Sequence, residues 1–322
     1  MKRTRVFING FGRIGRCAAR IILEDAQLEL VGVNDIYDIL QMKQLFINDS
    51  VYGSIDKKNI EDIRFFCETD VKKLNLKELN IDILLQCSGV FLTTLQNQIY
   101  IENGVKKVII SAPPSDDTPI YIYKVNHENY LGEDIISNSS CSANAIVPIL
   151  KIINENFGIK SAFLSMIHSY TAYQKLLDVK HYSKDIRRTR SATQNIIPLE
   201  SSAASAVGKF FPHLKDKLYA KSIRVPVAST TIYDLNINLE KKVDKIKLQE
   251  LLEKEIKNRY REILDITKSP LVSSDFIKNP YVATIDLNFT DIIEDKLLRV
   301  FAWQDNEYGY TKALVNLAKV IV

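Results

Sequence analysis

Two stretches of this chain hold residue types that do chemistry when they are correctly placed. One is Ser137-Asn-Ser-Ser-Cys141-Ser-Ala-Asn144, a run of hydroxyls around a single thiol. Residues 143–156 follow it with helical spacing of Ile146, Leu150 and Ile153. A thiol at a helix N-terminus has its ionised form favoured by the helix end, and hydroxyls around it can hold an anion. A thiolate nucleophile needs a partner that handles protons. His168 closes an alternating run in Ile167-His-Ser-Tyr-Thr and is a candidate, because a cysteine and a sequence-distant histidine recur together in covalent catalysis. Spacing alone does not bring the two together. Cys17, Cys67 and Cys87 lie in apolar runs and read as inert core thiols.

The second stretch is Gly10-Phe-Gly12-Arg-Ile-Gly15, which fits G-x-G-x-x-G. It follows the short apolar run Arg5 to Ile8 and opens a segment with helical spacing (Ile14, Ala18, Ile21, Ile22). Asp35 stands 20 residues beyond Gly15, at the end of a second apolar run, Leu28 to Val33. In this context the glycines let main chain approach a pyrophosphate, whose charge meets the helix N-terminus. Asp35 accepts hydrogen bonds from a ribose diol and repels a 2′-phosphate, which favours NAD over NADP.

The elements that carry these residues change character along the chain. Up to about residue 140, short apolar runs (Ile81 to Leu85, Val108 to Ile110, Ile135 to Ile136) alternate with helical or irregular segments. That order predicts a doubly wound parallel sheet of Rossmann type. Beyond Cys141 the runs lengthen and alternate at period two, over 162–168, 222–236, 282–289 and 296–303. Such runs predict an α+β catalytic half with a mixed or antiparallel sheet covered on one face. Residues 243–259 read as a Lys/Glu-rich surface helix, and 311–322 as an apolar amphipathic one. The expected division is 1–140 as cofactor-binding domain, joined by the C-terminal helix 306–322, and 141–305 as catalytic domain.

Composition narrows the class. The chain has 322 residues, 46% hydrophobic and 25% charged, with a net charge of +4. This is ordinary globular composition. The charge is too small over that length for a nucleic-acid surface. No C-x-x-C pair occurs and His127, His168, His181 and His213 are scattered, so no metal site is expected. No apolar run is long enough for a membrane span, and Val6 to Ile8 is too short for a signal peptide. The expectation is a cytoplasmic protein in a reducing compartment.

Eight motifs then occur in order: residues 8–16, Asn34-Asp35, residues 137–144, His168-Ser-Tyr-Thr171, Asn195-Ile-Ile-Pro198, Arg224-Val-Pro226, Ser273-Ser-Asp-Phe276 and Trp303-Gln-Asp-Asn-Glu-Tyr-Gly-Tyr310. Together they resemble the phosphorylating glyceraldehyde-3-phosphate dehydrogenases over essentially the whole chain. The resemblance implies an NAD-dependent conversion of D-glyceraldehyde 3-phosphate and inorganic phosphate to 1,3-bisphosphoglycerate, in glycolysis or gluconeogenesis. Cys141 would carry a thioester and His168 would be the general base. Thr171 and Arg224 would hold the substrate phosphate. Ser140, Ser142, Ser201 and Ser202 would serve the attacking phosphate. Arg13 and Ile14 would line the pyrophosphate turn, and Ser88 and Ser111 would lie beside the cofactor. Asn306 would hold the nicotinamide amide and Tyr310 would wall its ring. The family also implies a homo-oligomer, a tetramer.

Three departures bear on that reading. Ser142-Ala143-Asn144 stands where the family has Thr-Thr-Asn. Glu200, beside Ser201, puts a carboxylate next to a presumed anion site. The 178–190 loop lacks the family's proline and carries Arg187-Arg-Thr-Arg190, similar to erythrose-4-phosphate dehydrogenases and to some bacterial glyceraldehyde-3-phosphate dehydrogenases. A hydrolytic erythrose-4-phosphate dehydrogenase, or a catalytically impaired NAD-binding paralogue, are therefore the alternatives.

Overall fold

The computed structural model describes residues 2–322, which form two compact units. One runs to Ser140 and resumes over Thr311–Val322; the other is Cys141–Tyr310.

The first unit contains β1 (Thr4–Asn9), α1 (Arg13–Leu23), β2 (Leu28–Asp35), α2 (Ile39–Ile47), the small ribbon β3 (Asn48–Asp49) and β4 (Gly53–Ser54), β5 (Arg64–Cys67), β6 (Ile83–Gln86), α3 (Thr94–Glu102), β7 (Lys107–Ile110) and β8 (Ile135–Ser137). Its sheet is parallel, in the order β5-β2-β1-β6-β7-β8. Val6, Phe7 and Ile8 of β1 are fully buried, as a central parallel strand covered on both faces requires. Strand order reverses at β1, with β2 on one side and β6 on the other. Ligand crevices in such sheets form at this switch point.

Buried amides brace the carboxyl ends of the three strands there. Asn34 Nδ2 donates to Asn9 Oδ1 (2.8 Å), and Asn9 Nδ2 donates to Gln86 Oε1 (3.0 Å). Each amide is buried and paired, so the polar chain is tolerated in the sheet.

The second unit contains α4 (Cys141–Phe157), β9 (Ile159–Ser169), β10 (Ile197–Glu200), α5 (Ala203–Gly208), β11 (Leu218–Val225), β12 (Thr231–Leu239), α6 (Lys245–Glu255), β13 (Leu264–Thr267), β14 (Ala283–Asp286), β15 (Asp291–Ile293) and β16 (Leu297–Gln304). Its sheet runs β10-β11-β9-β12-β16-β14-β13, with β15 also on β16. It is mixed: β11 is parallel to β9 and β13 to β14, and the other pairs are antiparallel. α7 (Tyr308–Val320) carries the chain from this unit back to the first. There Lys319 Nζ pairs with Asp25 at 2.8 Å.

Several sequence expectations need correction. The alternating run over 222–236 is two strands, parted by a turn at 226–230 that Pro226 helps break and in which Thr230 takes φ +85°. The 243–259 helix is α6 followed by a wider π turn over Ile256–Tyr260. The 282–289 run pairs only over Ala283–Asp286. α4 begins at Cys141 itself and α7 at Tyr308, each ahead of its apolar spacing. Cys67 is not a core thiol: it lies exposed on β5, the edge strand of its sheet.

Candidate active site

The second unit assembles its chemistry along one cross-strand row. Arg224 on β11 pairs in register with His168 on β9, His168 with Thr231 on β12, and Thr231 with Gln304 on β16. Side chains of paired residues point to the same face of a sheet. On β9, even-numbered residues 162–168 are buried while odd-numbered 161–167 are partly or fully exposed, which puts His168 on the covered face. Gln304 Nε2 donates to the main-chain carbonyl of Cys141 (3.3 Å), and its Oε1 accepts from the Tyr233 hydroxyl (2.6 Å). The first residue of α4 is thus tied to the row.

The electrostatics follow from this arrangement. Burial pushes the Cys141 thiol above its ordinary value. The Arg224 charge, the hydroxyl and main-chain N–H of Ser142 and the helix-start N–H of Cys141 itself pull it back. Burial and then the Arg224 charge push the His168 imidazole down to about 3, against a weaker upward pull from the Ser169 carbonyl. In the free site both groups are therefore neutral near pH 7. Burial lowers the Arg224 guanidinium, the Cys141 thiolate form supports it, and Arg188 opposes it as a like charge.

Arg224 makes two hydrogen bonds with Nη1, to His168 Nδ1 (2.7 Å) and to the Ser169 carbonyl (2.9 Å). A guanidinium only donates, so Nδ1 accepts here and the imidazole proton sits on Nε2. Nδ1 is also 2.7 Å from the Ser169 carbonyl, the distance at which an Nδ1–H would donate to it. The two proton arrangements exclude each other. No carboxylate pairs with Arg224 among the described residues, and its Nε is buried without a partner. A half-buried guanidinium without a counter-ion is costly, and an anion is what would complete it.

The other expected phosphate residues are not joined to Arg224 by a direct bond. The Thr171 hydroxyl donates to Gln174 Oε1 (3.0 Å). Ser201 Oγ accepts from the Ala203 N–H (3.1 Å), and Ser202 precedes α5 without capping it through its side chain. Ser140 is half-buried just before α4, and Ser142 is buried in its first turn. Glu200 does not intrude: its carboxylate pairs with Lys221, its register partner across β10 and β11, and is well exposed.

The first unit holds the glycine turn. Gly10 has φ +93°, and a Cβ there would lie 2.3 Å from the Ser88 main-chain nitrogen. A Cβ on Gly15 would lie 2.1 Å from the Gly10 carbonyl. Gly12 instead faces open space within 4 Å and precedes α1 with no side-chain cap and no acidic residue in the first turn. This cradle fits a pyrophosphate against the start of α1. Asp35 braces the turn, accepting from the Phe11 N–H (2.5 Å) and the Ile36 N–H (2.7 Å). Its oxygens keep further lone pairs for a diol.

Arg13 turns its side chain to Asp49 and over the Tyr52 ring, so it offers the cradle main chain rather than charge. Ile14 is half-exposed beside it in α1. Ser111 Oγ donates to the Gln86 carbonyl (3.0 Å), and the Ser88 N–H to Gln86 Oε1 (3.2 Å). These bonds hold both residues at the ends of β7 and β6. Among the described residues no cluster of metal ligands occurs, and no helix is long and apolar enough to cross a membrane.

Asn306 and Tyr310 lie at the junction of β16 and α7, both buried. Asp305 fixes that junction, accepting from the Ser229 hydroxyl (3.1 Å) and from the N–H groups of Lys278 (2.8 Å), Glu307 (3.0 Å) and Tyr308 (2.9 Å). Gly309 is required there, since a Cβ would lie 2.1 Å from the Tyr281 carbonyl.

Sequence reasoning missed Gln304, Tyr233 and Arg188. Alternation along β12 and β16 marks the first two as inward-facing, but only the assembled sheet shows that Gln304 reaches Cys141 and Tyr233 reaches Gln304. Arg188 belongs by sequence to the Arg187-Arg-Thr-Arg190 cluster, and its distinction is that it acts on Arg224 while lying over the Tyr173 ring.

Comparison with known proteins agrees over the whole chain. Residues 4–94 match the family described as glyceraldehyde 3-phosphate dehydrogenase, NAD binding domain, and residues 140–306 match its C-terminal domain. Curated proteins named glyceraldehyde-3-phosphate dehydrogenase are similar end to end. That of Helicobacter pylori is 38% identical, covering 98% of each chain. That of Haloarcula vallismortis is 34% identical, also over 98% of each. The second such enzyme of Bacillus subtilis is 35% identical, over 98% of this chain and 96% of its own.

Proposed function

The chain belongs to the glyceraldehyde-3-phosphate dehydrogenase family, and from that premise we propose that it oxidises D-glyceraldehyde 3-phosphate to 1,3-bisphosphoglycerate, with NAD and inorganic phosphate, through a thioester on Cys141. The observation that carries this reading is the pairing of Arg224 with His168, with the Arg224 charge acting on the Cys141 thiol and a half-buried guanidinium that lacks an anion.

Arg224 binds the substrate phosphate by charge-assisted hydrogen bonds, with Thr171 adding its hydroxyl. An anion on Arg224 compensates the charge that depresses His168 and draws Nη1 from Nδ1. The imidazole then carries its proton on Nδ1, donates it to the Ser169 carbonyl, and presents Nε2 as the base. The Cys141 sulfur gives its proton to Nε2 and attacks the aldehyde carbon. The imidazolium returns that proton to the new alkoxide, giving a thiohemiacetal. Nε2 next takes the hydroxyl proton as the C–H bond breaks; a positioned base of this kind contributes roughly 10² to 10⁴ in rate. NAD, when bound, supplies the hydride acceptor. Inorganic phosphate, held by Ser140, Ser142, Ser201, Ser202 and the Arg188 charge, attacks the thioester carbon and expels the thiolate as leaving group.

For the cofactor, Gly10, Gly12, Arg13, Ile14 and Gly15 would cradle the pyrophosphate and Asp35 the ribose, with Ser88 and Ser111 beside them. Asn306 would hold the nicotinamide amide and Tyr310 would flank its ring. Asp35 favours NAD over NADP. The domain assignment follows: 1–140 with the end of α7 binds cofactor, and the Cys141–Tyr310 unit carries the reaction.

The hydrolytic alternative rested on Glu200 repelling phosphate. Its ion pair with Lys221 removes that argument. The impaired paralogue would need a broken site, and Cys141, His168, Arg224 and Asn306 are all present. We assign the protein a homo-oligomeric, tetrameric state in the cytoplasm. The uncovered face of the second sheet supports association, since Phe163, Tyr219 and Phe289 stand exposed on it and packed ring to ring with neighbours. Four free cysteines suit a reducing compartment.

The test is the initial rate of NADH formation from glyceraldehyde 3-phosphate with and without inorganic phosphate. A rate that requires phosphate is expected. A rate indifferent to phosphate would replace this reading with hydrolysis.

A further inference from the structure

Asn306 is held by two donors on one atom. Its Oδ1 accepts from the Ser169 hydroxyl (3.0 Å) and from the Thr230 main-chain N–H (3.0 Å). A main-chain N–H only donates, so the oxygen end of this amide is assigned by its partners. Its Nδ2 makes no hydrogen bond within the chain among the described residues.

Thr230 is in an unusual state to make that contact. It is β-branched, 2% exposed, and has φ +85°. A β-branched residue in that region is a strained outlier. Three bonds over-determine it. Its carbonyl accepts from the Ser169 N–H (3.1 Å), its hydroxyl donates to the Ser273 carbonyl (2.9 Å), and its N–H reaches Asn306. Strain of this kind persists where the surroundings enforce it, and it concentrates at functional sites. Ser169 has a double position. Its carbonyl lies at His168 Nδ1 and Arg224 Nη1, and its hydroxyl lies at Asn306.

We propose that Ser169 and Thr230 are positioning residues for the Asn306 amide, clamping Oδ1 so that Nδ2 is the end offered to the carboxamide oxygen of the nicotinamide. The proposal rests on the reading of Asn306 given above. It assigns a role to the Thr230 hydroxyl and, through its carbonyl, to Ser273. An unclamped amide would rotate freely and offer oxygen and nitrogen alternately, at a loss of about one hydrogen bond, or about fivefold in affinity.

The experiment is a double-mutant cycle on binding. Dissociation constants for NADH and for ADP-ribose, which lacks the nicotinamide, are measured by fluorescence and calorimetry in wild type, Ser169→Ala, Asn306→Ala and the double variant. Ser169→Ala is expected to weaken NADH about fivefold, leave ADP-ribose unchanged, and have no further effect in the Asn306→Ala background. Additive effects, or equal weakening of ADP-ribose, would overturn the proposal. Thr230→Val keeps the side-chain shape and removes only the bond to Ser273; run through the same cycle, it serves if Ser169→Ala fails to fold. Failure of the underlying reading is seen separately, as Asn306→Ala binding NADH like wild type.

Discussion

Arg224 and His168 face each other across β11 and β9 with Nη1 and Nδ1 2.7 Å apart. One is a half-buried cation and the other the imidazole whose protonation that charge opposes. Each therefore sets the state of the other, and an anion on Arg224 is felt at the imidazole.

That coupling predicts the outcome of Arg224→Leu. Loss of the charge raises the His168 pKa part of the way back from about 3, because burial, the larger cause, remains. Turnover of glyceraldehyde 3-phosphate should fall by about 10² in kcat/KM, the scale of one lost charge-assisted contact. Turnover of unphosphorylated glyceraldehyde should fall far less. NMR titration of the imidazole and the two rates check this; equal losses on both aldehydes would contradict the assignment.

The thiols should separate by reactivity. Iodoacetamide on native protein should label exposed Cys67 and half-buried Cys141 but not buried Cys17, and Cys87, though half-buried like Cys141, should stay unlabelled because its thiol is held protonated. Burial pushes the Cys87 thiol up to about 12. Cys141→Ser should lose all turnover with an unchanged melting temperature, whereas Cys67→Ser should keep both. Peptide mass mapping with rate measurements decides it.

The pair of Glu200 and Lys221 lies on the surface, so Glu200→Gln should shift stability by less than about 0.5 kcal/mol. It should change the KM for inorganic phosphate less than twofold. Lys221→Ala leaves the carboxylate without its partner and should raise that KM. A Glu200→Gln variant that binds phosphate much more tightly than wild type would show that the carboxylate does reach the site.

Stability should depend on pH through His168. Its folded pKa of about 3 lies below the ordinary 6.5, so between those values the unfolded chain binds a proton that the native chain does not. The contribution is complete above about pH 6.5 and is lost as pH falls toward 3, at up to about 1.4 kcal/mol per pH unit. Urea denaturation from pH 7 to pH 4.5 should therefore show a shallower loss in His168→Asn than in wild type. Parallel losses would mean that the imidazole is not held neutral.

In the first unit, Gly10→Ala should be poorly tolerated. Its Cβ meets the Ser88 nitrogen at 2.3 Å and its φ is +93°, and a backbone clash with positive φ costs upward of about 1 kcal/mol. Asp35→Asn loses the charge but can still brace Phe11, so it should fold normally, bind NAD more weakly and discriminate less against NADP. Thermal melts and cofactor KM values test both.

Local motifs were readable directly. The glycine turn, Asp35 and the hydroxyl run around Cys141 depend on neighbours in the chain, because a tight turn, a strand end and a helix start are decided within a few residues. The parallel order of the first sheet followed from alternating strands and helices, since parallel strands need crossovers. The break between β11 and β12 did not follow, because period two continues through the turn that Thr230's positive φ creates.

Composition, periodicity and eight ordered motifs sufficed for the fold class, the cofactor chemistry and the family. Tertiary structure decided the rest. His168 meets Arg224, 56 residues further along the chain, because their two strands pair in one register. Gln304 reaches Cys141 from 163 residues away. Glu200 turns to Lys221 through the antiparallel pairing of β10 with β11, and Cys67 is exposed because β5 is an edge. Each of these depends on register or on a strand's place in a sheet. A one-residue slip of β9 against β11 would leave every local motif intact and turn His168 to the opposite face.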